Sequence, residues 1–283
     1  MGDPQTVLRH LAPSQCGMLA HMDAADYSAA ADINLAATWA GLGRALGYEI
    51  VEEQSMTLAT SGLPLAFFNG AYVTGPIADP AQTLSEATDF FASRGVPWLL
   101  WARPGVATDL VDLAEAAGMK RGSGPPQMIL APINESPAPP AELSIGIVTD
   151  AGGLEQHAEM LRLGFGMPRE VTDRLIGPGI LRAPGVVVFV GTVDRAPVSC
   201  SLLSISGLTA GIYNVATPEA FRGRGYGEAL TWAASAEGAR RGCTHAALQA
   251  SPAGYPIYSR MGFTDLGRYI QLEGPANAVS ATP

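Results

Sequence analysis

The sequence predicts an α/β (α+β) fold made of two halves that carry their elements in the same order. Three observations lead there. The C-terminal half runs β-β-β-α-β-α-β, the N-terminal half repeats that order, and a proline cluster parts them. That cluster is Ala131-Pro132-Ile133-Asn134-Glu135-Ser136-Pro137-Ala138-Pro139-Pro140, with the composition of an exposed linker. A chain of 283 residues with 47% hydrophobic content is long and apolar enough for two domains. The expected division is 1–131, a linker at 132–142, a second domain at 143–274, and a short, small, polar tail at 275–283 with the composition of a disordered end.

In the C-terminal half, residues 185–190 and 197–203 are β-branched or apolar runs separated by Asp194-Arg195-Ala196, which predicts a hairpin. A third strand follows at 211–216. A helix begins near Glu228, with glutamate in its first turn, Arg240-Arg241 in its last and Gly242 as its cap. Residues 244–250 read as a buried strand. Ser251-Pro252 supplies an N-cap and a proline for the first helical position of the next helix.

The N-terminal half opens on a long helical stretch, Ala24 to Leu46, followed by an alternating strand at 48–59 and a second at 65–73. A helix at 80–94, a buried strand at 97–101, a helix at 107–117 and a strand at 127–130 complete it. Even the ending recurs: Ala117-Gly118-Met119 before a strand echoes Met261-Gly262-Phe263 before 268–272.

The stretch richest in chemistry is Arg222-Gly223-Arg224-Gly225-Tyr226-Gly227, where strand gives way to helix. Glycine lets a backbone approach a ligand closely, and a helix's first turn offers unpaired N–H groups and a positive dipole end, so this composition suits an anion. It is not a P-loop, because Glu228-Ala229-Leu230 follows where Lys-Ser/Thr is required. It is not a dinucleotide fingerprint either: the glycines are spaced G-x-G-x-G, and the next strand, Ala246-Ala247-Leu248-Gln249-Ala250, has no carboxylate for a ribose.

Arg222, Gly225 and Gly227 form an R-x-x-G-x-G that resembles the acyl-CoA pyrophosphate loop of the GNAT superfamily of N-acyltransferases. Upstream, Tyr213-Asn214-Val215-Ala216-Thr217-Pro218 is similar to that family's fourth strand. Downstream, residues 250–263 are similar to its fifth strand end and fourth helix, closing on Tyr258-Ser259-Arg260-Met261-Gly262-Phe263 as its Tyr-x-x-x-Gly-Phe. The resemblance covers about 143–273. It implies two domains, each a mixed, mostly antiparallel twisted sheet flanked by helices, with acetyl-CoA as cofactor and a small-molecule amine as acceptor.

The resemblance further implies that Gly223 belongs to the cofactor loop and that backbone N–H groups of Arg224, Gly225, Tyr226, Gly227 and Glu228 hold the pyrophosphate, with Arg222 beside the loop and Arg224 adding charge. Val215 and Thr217 would offer backbone groups to the pantetheine, with the Val215 N–H as oxyanion donor. Tyr258 takes the general-acid position and protonates the departing sulfur; Tyr255, three residues earlier on the same helical face, is the alternative. No carboxylate stands on 210–214, so the base stays open between a water relay, Glu170 or Asp173, and an amine already deprotonated. His157 and His245 read as structural or solvated. A non-catalytic acyl-CoA sensor or scaffold is the other function class compatible with that missing base.

The N-terminal copy lacks the loop: residues 74–80 read Thr-Gly-Pro-Ile-Ala-Asp-Pro, where prolines remove N–H donors and Asp79 would repel a phosphate. It is expected to shape the acceptor cleft, together with residues 154–182, or else the interface. Aromatic residues Phe67, Phe68, Trp98, Trp101 and Phe165 are expected in the core. A net charge of −9 argues against nucleic acid. No apolar run reaches membrane-spanning length, and Met1-Gly2-Asp3-Pro4-Gln5 lacks signal-peptide features, so a cytoplasmic location is expected. Cys16, Cys200 and Cys243 are widely spaced and expected reduced, and His10, His21, His157 and His245 show no ligand spacing, so no metal is expected. An exposed strand edge in either half offers a route to a homodimer.

Overall fold

Asp23 starts the first helix, α1 (Ala24–Leu46), with a reciprocal capping box: its carboxylate accepts from the N–H of Ala25 and Asp26, and the Asp26 carboxylate accepts from the N–H of Asp23. Gly47, at φ +76°, ends it in the left-handed region. The computed structural model describes residues 22–274, so the expectations for His10, Cys16, His21 and the tail 275–283 lie outside the described residues.

The single strand expected at 48–59 is two, β1 (Glu49–Glu52) and β2 (Met56–Thr60), because polar Glu53-Gln54-Ser55 forms a turn closed by the Glu53 N–H on the Met56 carbonyl. The strand expected at 65–73 is shorter. Ala66–Phe68 is a 3₁₀ turn and only Asn69–Val73 (β3) pairs. Next come α2 (Pro80–Ala92), β4 (Trp98–Ala102), α3 (Thr108–Ala116) and β5 (Lys120–Leu130), the last starting well before the expected 127. With β1 and β2 separated, three strands precede α2, so the repeat is closer than the sequence pattern showed.

The other half contains β6 (Ser144–Ile147), α4 (Ala151–Phe165), α5 (Arg169–Leu175), a 3₁₀ turn at Pro178–Arg182, β7 (Val186–Val193), β8 (Ala196–Ser206) and β9 (Thr209–Ala216). Asp194 and Arg195, both at positive φ, make the two-residue turn joining β7 to β8, the backbone that suits a twisted hairpin. Then follow α6 (Tyr226–Arg240), β10 (His245–Gln249), α7 (Tyr255–Arg260) and β11 (Thr264–Gly274). The expected N-cap of α7, Ser251, sits three residues early: Gly254 is the cap, Pro256 lies in the first turn, and the Ser251 hydroxyl accepts from the Gly254 N–H.

All eleven strands form one sheet in the order β1-β2-β3-β4-β11-β5-β10-β9-β8-β7-β6. The last strand of each half has crossed to the other: β11 lies between β4 and β5, antiparallel to both, and β5 pairs antiparallel with β10. Each half keeps one parallel contact, β3 with β4 and β9 with β10. Helices α2, α3, α6 and α7 cover one face of the sheet, and α1, α4 and α5 the other. Trp98 is fully buried and Trp101 3% exposed, as expected of core. Phe67 and Phe165 are not core; they are 51% and 53% exposed, because one sits on the 3₁₀ turn before β3 and the other at the last position of α4.

Helix α1 belongs to both halves. Leu35 and Ala36 pack with Tyr72 and Trp101, while Asn34 Nδ2 donates to the Ser204 carbonyl at 3.0 Å and the Tyr213 hydroxyl donates to Asn34 Oδ1 at 2.7 Å. Beneath it, buried Asp32 accepts from Arg103 Nε at 2.8 Å, Gln127 Nε2 at 2.9 Å and the Tyr269 hydroxyl at 2.9 Å. These partners sit just after β4, on β5 and on β11, so one carboxylate fastens the exchanged strands. A buried charge held this way is tolerated only while its partners remain.

His157 on α4 is fully buried, with Nδ1 3.3 Å from the Phe189 carbonyl and Nε2 without a partner. It is structural, not solvated. Burial pulls its pKa down to about 4. A base whose folded pKa is depressed leaves the unfolded chain binding more protons, so its stability contribution is complete above about pH 6.5 and is lost as pH falls toward 4. We expect the unfolding free energy to drop by about 3 kcal/mol across that window from this group alone. Denaturant titrations at several pH values should show the drop, with a flatter profile in His157→Leu. Identical profiles would refute it.

Candidate active site

The parallel pairing of β9 with β10 covers Thr209–Gly211 against His245–Ala247 and then stops. Beyond it the two strands run on without pairing to each other, so a wedge opens in the sheet. Asn214 causes much of this: its φ is +55°, and the register between β8 and β9 slips between Cys200 and Leu202, the mark of a bulge. The bulge is held from behind. Cys200 Sγ donates to the Asn214 carbonyl at 3.3 Å, and Ser199 Oγ donates to the Ala216 carbonyl at 3.0 Å and lies 2.9 Å from Thr217 Oγ1. Val215, between these two anchored carbonyls, stands on the wedge-forming part of β9.

The glycine loop lies at the mouth of that wedge. Gly223 and Gly225 have φ of +77° and +78°, a region where a β-carbon is strained. Gly225 is the N-cap of α6, and no side chain caps this helix. The Ala229 N–H bonds the Gly225 carbonyl, which starts the helical ladder. The N–H groups of Gly223, Arg224, Gly225, Tyr226, Gly227 and Glu228 have no acceptor among the described residues. Gly227 lies close to β9: a β-carbon there would stand 3.1 Å from Thr217 Oγ1, a tight contact, and 3.8 Å from Val215 Cγ1. The donors, the absence of a competing cap and the dipole end all fit a pyrophosphate.

The corresponding place in the other half is closed. Asp79 caps α2, its Oδ1 accepting from the Gln82 N–H at 3.0 Å, and Pro80 removes a further donor. A carboxylate occupies the position an anion would need.

Side chains expected at the site divide into three groups. Arg222 binds protein: its Nε donates to the Thr217 carbonyl at 3.0 Å and its Nη2 to the Gly164 carbonyl at 2.9 Å, tying the loop to the ends of β9 and α4. Arg224 and Glu228 stay near the surface, and Tyr226 turns inward, its hydroxyl donating to Glu142 Oε1 at 3.0 Å. That bond, with the Ile133 N–H on the Thr244 carbonyl and the Ser136 hydroxyl on the Trp232 carbonyl, pins the proline-rich connection. Tyr258 is 9% exposed, with its ring 5.8 Å from Phe263. Burial pushes its pKa up to about 12, against the pull of the Thr231 hydroxyl on α6. Thr231 in turn donates to the Gly227 carbonyl at 2.9 Å, which links Tyr258 to the first turn of α6.

Tyr255 turns elsewhere. Its hydroxyl donates to Asp265 Oδ2 at 3.0 Å, away from the loop, so one helical face does not give these two tyrosines one environment. Glu170 and Asp173 are exposed on α5, Asp173 within 3.5 Å of Arg169. His245 is 1% exposed, with Nε2 2.8 Å from Thr209 Oγ1 and Nδ1 3.0 Å from Thr244 Oγ1, a hydrogen-bonded core residue. Cys200 and Cys243 are buried free thiols. Among the described residues no group of three or more His, Cys, Asp or Glu is arranged to hold a metal, and no helix is long and apolar enough to cross a membrane.

A parted parallel strand pair has an uncapped glycine loop at its mouth, and residues 159–263 match the model of the Acetyltransferase (GNAT) family. The chain as a whole has a GNAT fold, and its structural neighbours include a tandem GNAT protein. The chain superposes on a GCN5-related N-acetyltransferase from Kribbella flavida with TM-score 0.64 at 19% identity, covering 87% of this chain and 97% of that one. A GCN5-related N-acetyltransferase from Sphaerobacter thermophilus gives TM-score 0.57 at 17% identity over 79% and 81% of the two chains. A tandem GNAT protein from the clavulanic acid biosynthesis pathway gives 0.52 at 14% over 82% and 83%. At these identities the likeness establishes fold. No curated protein sequence matches the chain.

Proposed function

We propose that this protein is an acyl-CoA-dependent N-acyltransferase that moves an acetyl group from acetyl-CoA to a small primary amine by direct attack in a ternary complex. The observation that carries this reading is the run of six unpartnered N–H groups from Gly223 to Glu228 beside the β9–β10 wedge. Residues 143–274 act as the transferase domain. Residues 1–131 form a copy without a cofactor loop, joined through 132–142.

The thioester supplies the acyl group; the chain supplies everything that holds and discharges it. The loop N–H groups bind the pyrophosphate, with Arg224 adding charge. Backbone groups of Val215 and Thr217 align the pantetheine, and the Val215 N–H donates to the carbonyl oxygen as that oxygen gains charge. Arg222 positions the loop through the Thr217 and Gly164 carbonyls. Tyr258 delivers a proton to the sulfur. The bulge makes this workable, because anchoring the Asn214 and Ala216 carbonyls fixes the peptide plane between them.

The amine sheds its proton to a water relay or before binding, since His157 and His245 are committed to the core and Glu170 and Asp173 lie on the surface of α5. The test is thiol release from acetyl-CoA in the presence of a panel of primary amines, beside calorimetric titration with acetyl-CoA alone. Amine-dependent release supports the reading. Tight acetyl-CoA binding with no release on any amine would replace it with the sensor or scaffold role, and no binding would remove the cofactor altogether.

A further inference from the structure

Gln249 is the last residue of β10, two positions past the point where pairing with β9 stops, so it borders the wedge. Alternation along the strand places it on the same face as Ala247, which packs under α1 with Ala31 and Ile129. Its Nε2 is buried and has no partner. Directly across the ladder stands Gln127 of β5, 2% exposed, whose Oε1 is also buried without a partner. Two complementary amide atoms on register partners are therefore buried without a partner. In a folded protein such pairs are rare and need an explanation.

Gln127 cannot turn to close the gap. Its Nε2 donates to the Ser28 carbonyl at 3.2 Å, to Asp32 Oδ1 at 2.9 Å and to the Tyr269 hydroxyl at 2.6 Å, which fixes the amide with its oxygen pointing away from that network. Asp32 is in turn neutralised by Arg103. The pair thus presents one fixed acceptor and one donor beside a carboxylate already paired with arginine.

Resting on the acyltransferase reading above, we infer that Gln249, held opposite Gln127, is a specificity-determining residue that selects primary amines carrying an uncharged hydroxyl or carboxamide near the nitrogen. One such group satisfies both open atoms, donating to Gln127 Oε1 and accepting from Gln249 Nε2. A carboxylate would meet the Gln127 oxygen with repulsion, and an alkyl chain would leave both atoms unpaired. Gln127, fastened through Asp32 to α1, is how the copy without a cofactor loop takes part in choosing the acceptor.

The test uses the full chain with saturating acetyl-CoA and three matched series of two to six carbons: amino alcohols, alkylamines and ω-amino acids. The best amino alcohol should exceed its alkylamine in kcat/KM by ten- to a hundred-fold, the range expected for one buried hydrogen-bonding group. Gln249→Leu should collapse that ratio toward one, through KM, with the acetyl-CoA Kd unchanged, while Gln249→Asn should restore part of it. A merely structural glutamine, or one bridged to Gln127 by a bound water, would leave the ratio intact while lowering all series together, and that result overturns the inference. So does a preference for alkylamines or amino acids. If acetyl-CoA binds but no amine turns over, thermal shifts of the CoA-saturated protein decide: no amino alcohol shift beyond that of its alkylamine overturns this inference and leaves the cofactor site standing. Loss of acetyl-CoA binding itself would instead overturn the proposed function.

Discussion

Glutamate at position 225 is expected to abolish acetyl-CoA binding while leaving the fold in place. Gly225 has φ +78° and is exposed at the N-cap of α6, so a side chain there is strained by about 1–2 kcal/mol, a loss a domain of this size withstands. Its carboxylate would stand among the N–H groups of 223–228 and take for itself the positive end of the helix. The substitution would give α6 what Asp79 already gives α2, an acidic cap in place of an anion site. Calorimetric titration should show Kd weakened more than a hundred-fold, with a melting temperature lowered by only a few degrees. Binding retained within a few-fold would mean the pyrophosphate does not sit on this loop.

Tyr258→Phe should lower kcat by about 10²-fold or more, the usual contribution of a positioned acid. The Kd for acetyl-CoA should not change, because Tyr258 packs against Phe263 on α7's side of the site and is not one of the loop N–H donors. Burial holds the phenol near 12, so Tyr258 stays protonated across the ordinary pH range, as a proton donor must. The same burial favours transfer, since a thiolate leaving into a dry site is also more basic than in water. The rate should therefore show no Tyr258-dependent alkaline fall below about pH 10. A kcat within three-fold of the native protein, or an alkaline limb near pH 8 that vanishes in Tyr258→Phe, would take the acid role away from this residue.

Local signals were legible where they had a local cause. The bounds of α1 follow from Asp23 and Gly47, the β7–β8 turn from Asp194-Arg195, and the anion loop from glycines whose backbone angles no other residue adopts cheaply. The contrast between Gly225 and Asp79 could also be read directly, because capping needs only neighbours in sequence. What failed was local too. Glu53-Gln54-Ser55 continues an alternating pattern that hides a turn, and Ser251-Pro252 has the form of a cap for a helix that starts three residues later. The exposure of Phe67 and Phe165 had no sequence signal, since aromatic residues next to strands and in helices have the same spacing whether they pack inward or not.

By itself, then, the sequence determined most of the order of elements, which half carries the glycine loop, and the positions of that loop and of Tyr258, because spacing, capping and backbone angle act over a few residues. Only the tertiary structure decided that β11 and β5 trade places, that α1 bridges both halves, and that Asp32 ties Arg103, Gln127 and Tyr269 together. A strand's alternation is the same whichever neighbour it pairs with. Nor can a glutamine in the sequence announce that its amide will be buried without a partner. Partner choice is settled by which faces can be buried together across the whole sheet, and that is information no single segment carries.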